Sequence, residues 1–374
     1  MVTKVLMCAL AVAGALVLTA GSTTAQVVYG QPFSGDLTAT FNSWTVTEGE
    51  EETTTSQFAI PLGVFVPMRD NFDVSFFAAN ASSKFENATQ EFTLGGMSDV
   101  RVQGNHSFAN DQLLVSLGLN LPTGKRALDL TEEYFVLQAL SANYLDFPMR
   151  RYGEGFGVNL LFAGATVLGD GLRGGAGIMY QYAGAYEPYD GFTDYNPGDV
   201  VSVNAGIDID GAPLNWTVDI IYSVFTADQI DDTKTFRQSP QLDSRLSARY
   251  IDERQMFAAH VGYLVRGNNT QYAADGDELD PFKYYGNEFL LAGAYARQIG
   301  GVWSVSPAAD LRLIGGNDLD MGSSTVFGIG ATIGRELGAS LTLSGGMRYY
   351  AGSADGGDID LSGYQITFGL TATR

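Results

Sequence analysis

Apolar residues fall at every second position over most of this chain. From Leu113 to Leu121 the series Leu113, Val115, Leu117, Leu119 and Leu121 alternates with Leu114, Ser116, Gly118 and Asn120. The preceding arm, Asp99 to Phe108, alternates as well, and Ala109-Asn110-Asp111 joins the two. Period-two alternation on both arms of a tight turn predicts an antiparallel hairpin with one apolar and one polar face. The rhythm recurs at Val201–Ile209, Leu214–Val224, Trp303–Leu313 and Tyr364–Leu370.

Followed along the chain, the pattern predicts about sixteen strands: 35–47, 57–67, 71–80, 98–108, 112–121, 154–168, 171–183, 199–210, 214–226, 241–251, 255–266, 287–298, 302–314, 324–335, 339–351 and 361–372. Fourteen is the alternative count. Tight turns (68–70, 110–111, 169–170, 211–213, 252–254, 300–301, 336–338) alternate with longer links (48–56, 81–97, 122–153, 184–198, 227–240, 267–286, 315–323, 352–360). Short connections at one end and long ones at the other are the mark of a transmembrane barrel, and a soluble sandwich has no reason to sort its loops so. Strands of ten or more residues exceed the usual five or six and suit a tilted membrane crossing. Trp216, Tyr222, Trp303, Tyr349 and Tyr364 fall toward strand ends on the apolar face, where interfacial girdles belong. The expected fold is all-β, a transmembrane antiparallel up-and-down barrel with a short helix in its third long loop.

Composition supports this picture. Lys4, the apolar run Val5–Leu18 and Thr23-Thr24-Ala25 read as a signal peptide over 1–25, leaving 26–374 as the barrel. The single cysteine, Cys8, lies in that segment, so the mature chain has no disulfide or thiol chemistry, which suits a bacterial envelope. No apolar run is long enough for a transmembrane helix, and a mean hydropathy near zero is what alternating faces average to. The net charge of −21, or −22 once Lys4 leaves with the signal, excludes nucleic acid as a partner class. The expected surroundings are the bacterial outer membrane, with its lipid and lipopolysaccharide, the barrel-assembly machinery and a small-molecule solute.

The polar face is charged. Asp99, Arg101, Asp208, Asp219, Asp243, Arg245, Arg249, His260, Arg266, Asp310, Arg312 and Arg348 all fall on it by parity. In a dry core these groups would be very costly, whereas a hydrated lumen accepts them. They either interlock to stiffen the lumen or line a permeation path and tune its selectivity. One long link stands apart. Asp129 or Thr131 can cap a helix over about 131–144 that stops before Phe147-Pro148. Its apolar residues either pack on other loops or form a gate or ligand-capture surface.

Three stretches together resemble a known group: Val66-Pro67-Met68-Arg69-Asp70-Asn71-Phe72-Asp73-Val74, Gly96-Met97-Ser98-Asp99-Val100 and Leu117-Gly118-Leu119-Asn120-Leu121-Pro122-Thr123-Gly124. They resemble the envelope β-barrels of the phenol meta-cleavage pathway, which are similar in turn to FadL-type transporters of hydrophobic compounds. The resemblance covers roughly 57–168. It implies an outer-membrane channel for passive uptake of small hydrophobic or aromatic molecules. It also implies a loop-helix capture surface, which maps here onto Tyr134, Phe135, Leu137, Leu140 and Tyr144. The short stretch between Gln26 and Gly35 leaves no room for a FadL-type plug. The alternative is a structural or adhesive barrel with an occluded lumen.

Catalytic chemistry finds little support. His106 and Ser107 are adjacent on a strand and point to opposite faces, and His260 reads as a hydrogen-bonded lumen histidine. No Walker loop, His-Glu-x-x-His or cysteine set is present, so no enzyme activity, cofactor or metal site is expected. The acidic run Asp275–Asp280 lacks EF-hand spacing and reads as a solvated loop, with divalent bridging to lipopolysaccharide as the alternative.

Overall fold

The computed structural model describes residues 33–374 apart from 193, 253 and 320; the expected signal segment lies outside the described residues. The chain winds into one antiparallel sheet in which each strand pairs with its sequence neighbours. The strands are β1 (Ser34–Glu48), β2 (Glu51–Arg69), β3 (Phe72–Glu86), β4 (Glu91–Met97 continuing as Val100–Phe108), β5 (Leu113–Leu121), β6 (Gly157–Gly169), β7 (Leu172–Ala183) and β8 (Val200–Gly211). They continue as β9 (Leu214–Phe225), β10 (Gln241–Asp252), β11 (Gln255–Arg266), β12 (Glu288–Ile299), β13 (Trp303–Ile314), β14 (Ser324–Gly338), β15 (Leu341–Ala354) and β16 (Ile359–Thr373). β16 pairs with β1 from Ser34↔Thr373 to Glu48↔Ile359, so the sixteen-strand barrel closes and no free edge remains. The interruption in β4 is a bulge. Asn80 pairs with Met97 and Phe77 with Arg101, so one extra residue enters at Ser98-Asp99.

All sixteen expected strands form. Three links expected to be long are short hairpins instead: Glu48 pairs with Glu51, Glu86 with Glu91, and Ala354 with Ile359. The reason is compositional. The segment Thr53-Thr54-Thr55-Ser56-Gln57 lacks an apolar stripe, yet threonine suits a pleated strand and pairing continues through it. Twelve-residue strands such as β8–β13, tilted as in barrels, rise roughly 28–30 Å, the thickness of a hydrocarbon core. β1–β4 and β14–β16 are longer, so one side of the barrel stands higher than the other.

The outer face is oily. Ile220, Leu291, Phe327, Ile329 and Ile333 are all exposed on it, and Phe368 is 65% exposed. Among the outward residues, Trp216, Tyr250, Phe257, Tyr295 and Trp303 lie near the short turns, while Tyr180, Tyr222, Tyr263 and Phe289 lie near the long loops. A continuous apolar belt between two aromatic rings would not stay dissolved as a monomer. It matches the lipid-facing band of an outer-membrane barrel, and that is where this protein resides.

Above the belt the outer loops are ordered. Segments Tyr195–Asn196, Ala227–Ile230, Thr233–Arg237 and Thr270–Gln271 form a small antiparallel sheet that ties three loops together. The loop between β5 and β6 instead turns inward against the inner face of the tall wall. Its helix α1 spans Glu133–Ser141, shorter than the expected 131–144, because Ala142 adopts an extended ψ of 123°. Thr131 does not cap it. Asp129 organises the start, its Oδ1 accepting from the Thr131 and Glu132 amides at 2.6 and 3.2 Å.

A loop buried inside a barrel must find partners for its backbone. Here the strands supply them. Gln57, fully buried on β2, donates to the Met149 carbonyl at 2.7 Å and accepts from the Met149 amide at 2.9 Å. Its amide also donates to Ser83 Oγ at 2.9 Å, and Ser83 meets the Tyr152 hydroxyl at 2.8 Å. Asn42 on β1 donates to the Asp146 carbonyl. At the loop's foot Asp99 accepts from the Gly124 amide (2.7 Å), the Glu154 amide (2.7 Å) and Asn120 Nδ2 (2.9 Å). A Cβ on Gly124 would lie 2.5 Å from the Tyr152 carbonyl oxygen, so only glycine fits there. Around these bonds Val136, Leu140, Leu145, Phe147 and Met149 pack against Trp44, Leu94, Tyr350 and Leu361 of the wall. Trp44 stacks on Tyr350 at 4.7 Å and lies over Gly363, where a Cβ would come 2.6 Å from the indole.

Two outcomes follow. Ile220→Lys, at mid-strand on the lipid face, should lower stability in vesicles by about 2–4 kcal/mol, whereas Thr217→Lys on the inner face should cost under about 1 kcal/mol; equal urea midpoints for the two would contradict the facing. Gln57→Ala leaves the Met149 amide and carbonyl without these partners and should weaken loop anchoring by about 2–5 kcal/mol. Limited proteolysis should then cut between Lys125 and Arg151 while the barrel keeps its heat-modifiable gel mobility, and an uncut loop would contradict the anchor.

Candidate functional site

The inward loop and the lower wall enclose a cavity of about 1390 Å³ at the outer mouth of the lumen. Strand parity delivers one set of side chains to it, and the loop delivers another. All twelve charged positions expected on the lumen face point inward by register, but they divide into three groups. Arg101, Asp243, Arg245, His260, Arg266 and Arg312 line the cavity. Asp219 stands beside the lining, opposite Gly206 and Arg245, whereas Asp208 and Arg249 lie deeper, opposite Thr217 and Asn215, and Thr217 Oγ1 donates to Asp208 at 2.7 Å. Asp99, Asp310 and Arg348 are structural: Asp99 clamps the loop, and Asp310 pairs with Arg348 in the wall.

The five expected capture residues also separate. Tyr134 and Leu137 line the cavity. Leu140 is fully buried, Tyr144 packs on the core, and the Phe135 ring stacks on Phe92 at 5.5 Å. Helix packing therefore consumes much of the apolar surface that the resemblance implied for ligand capture.

Several groups that sequence parity did not single out complete the site. Arg150 and Arg151 reach the cavity from the loop, together with Lys125, Asp146 and Glu154. A basic doublet in a strongly acidic chain was the available signal. Glu154 is shared by two guanidiniums, Arg151 at 2.5 Å and Arg101 at 3.5 Å. Asp146 is likewise shared by Arg312 at 3.7 Å and Arg150 at 3.8 Å. Arg245 and Arg266 have one acid each, Asp243 at 2.5 Å and Glu288 at 2.9 Å. With Lys125 and Asp228 included, seven basic and five acidic side chains line the cavity, His260 being left aside. Just behind the lining Glu133 pairs with Lys125 and Asp219 lies opposite Arg245, so the basic excess is local, at the Arg101–Arg151 and Arg150–Arg312 pairs. The seven basic residues are a third of the chain's 21 lysines and arginines. Their exposure is graded: Arg151 is 78% and Arg101 59% accessible, whereas Arg245, Arg312 and Arg266 are largely buried and rely on their paired acids.

Tyrosines complete the wall. Tyr186 and Tyr195 meet edge to face at 5.6 Å, and the Tyr195 hydroxyl donates to Asp228 at 2.7 Å. Burial first, then the Glu154 charge, pushes the Tyr186 hydroxyl up to about 12. Burial and then Asp228 push Tyr195 higher still, so both rings are neutral donors at physiological pH. His260 Nδ1 lies 3.0 Å from Ser247 Oγ, the hydrogen-bonded lumen histidine expected. His106 stands outside the barrel between Phe72 and Phe108, and Ser107 turns inward to Asp111. The described residues contain no cluster of His, Cys, Asp and Glu able to hold a metal ion.

No family model matches this chain, and no curated protein does. Neither comparison adds support to the phenol-pathway or FadL-type resemblance. Solved structures similar to it include Pseudomonas putida OprB, at 9% identity over 90% of this chain and 92% of that one, with a TM-score of 0.46. Pseudomonas aeruginosa OprD is 11% identical over 91% of this chain and 95% of that one, TM-score 0.44. The CymD monoaromatic hydrocarbon channel is 12% identical over 92% and 89%, TM-score 0.42. These likenesses carry no information on a solute.

Proposed function

We propose that the protein is a passive outer-membrane channel for small solutes, with the inward loop as its constriction. The observation that carries this reading is the hydrated, charge-lined cavity of about 1390 Å³ inside a closed barrel. Arg101 and Arg151, both more than half exposed, call for water around them, and water-filled lumens conduct. A hydrophobic solute, which the resemblance implied, loses Leu140 to packing and meets a lining rich in charged side chains, the half-exposed Phe135 standing outside that lining. Small polar solutes, including those that carry a ring, fit the lining better. The buried, hydrogen-bonded loop favours the second reading, a structural barrel with an occluded lumen.

Planar-bilayer recording separates the two. The refolded barrel should give stepwise currents, and Gln57→Ala, which frees the loop, should raise single-channel conductance by about twofold or more. Silence from both proteins would leave the structural reading standing.

A further inference from the structure

The cavity combines two recognition chemistries. The first is a surplus of guanidinium. Arg101 and Arg151 share Glu154, and Arg150 and Arg312 share Asp146, so four positive charges meet two negative ones. Three of these four contacts with a shared acid are 3.5 Å or longer, apart from the close Arg151–Glu154 pair. Arg150 also donates to the Leu145 carbonyl and Arg312 to the Asn143 carbonyl at 3.4 Å, so the donors left for an incoming carboxylate are chiefly those of the exposed Arg101 and Arg151. The second chemistry is the Tyr186–Tyr195 pair, whose rings line the same cavity and sit within the field of Arg151. A planar ring can pack against this pair while its acid group meets the arginines. The acidic tips of the outer loops, such as Glu50–Glu52, oppose entry only weakly. They stand in bulk solvent, where a Debye length of about 8 Å screens them, whereas charges lining a low-dielectric cavity are screened less.

We infer that this cavity is a selectivity site for small aromatic carboxylates, which it binds and passes in preference to neutral or cationic solutes of the same size. The passage half of this statement rests on the channel reading, and the binding half does not.

The test uses the full-length refolded barrel. In a potassium chloride gradient across a planar bilayer, the reversal potential should report chloride permeating about threefold or more better than potassium. The Arg101→Gln/Arg151→Gln double variant should bring that ratio to one or below, and Glu154→Gln should raise it. A purely structural role for these residues would not move selectivity in opposite directions. The charge-matched Lys84→Gln/Lys234→Gln variant, altered on the outer loops and strand tips, should behave as wild type. In detergent micelles, saturation-transfer NMR should show benzoate binding more strongly than benzyl alcohol or acetate. Tyr186→Leu should erase the advantage over acetate, and the double arginine variant the advantage over benzyl alcohol.

Potassium preference in the wild type, or a reversal potential indifferent to the arginine substitutions, would overturn the selectivity. Equal binding of the three probes would overturn the ligand class. If no current flows, the channel reading falls, and the micelle titration alone decides whether the cavity is a carboxylate site.

Discussion

The architecture of the mouth depends on one arrangement: side-chain amides and carboxylates on the inner wall satisfy the backbone of a loop that has left the surface. A peptide unit buried without partners costs as much as a lost hydrogen bond or more. Gln57 meets both polar groups of Met149, and Asp99 gathers the amides of Gly124 and Glu154. Without these bonds the cost of unpaired peptide groups would oppose the gain from burying the loop's apolar residues. With them, Val136 and Leu140 reach a core that the tall strands have built from Trp44, Leu94 and Tyr350.

Placing the loop also places the charges. The segment from Asp146 to Glu154 holds two acids and two arginines, and the loop's path sets each acid between one arginine of its own and one of the wall. Packing and electrostatics are thus coupled through the strand-to-loop contacts, because a shift of Met149 would move Arg150 and Arg151 with it.

Much of the barrel was legible in the sequence. Alternation placed all sixteen strands and sorted the twelve charged residues onto the inner face, because a strand's side-chain period is fixed by covalent geometry. It misjudged the extents of β2, β3 and β4 by six or seven residues at their outer ends, where the strands rise above the lipid and need no apolar stripe. The candidate site was only half legible. Arg245, Arg266 and Arg312 could be read by parity. Arg150, Arg151 and Glu154 come from an irregular loop, where no period links position to direction.

By itself, then, the sequence determined that there is a barrel, which face meets lipid and which encloses water, since two-residue alternation and connection lengths are local properties of the chain. Only the tertiary structure decided which charges meet and which residues of α1 remain open to solute. Those outcomes turn on contacts such as Gln57 with Met149, 92 residues apart, and Arg312 with Asp146, 166 residues apart. No local pattern encodes such pairings; they exist only once the sheet has closed and the loop has found its partners inside it.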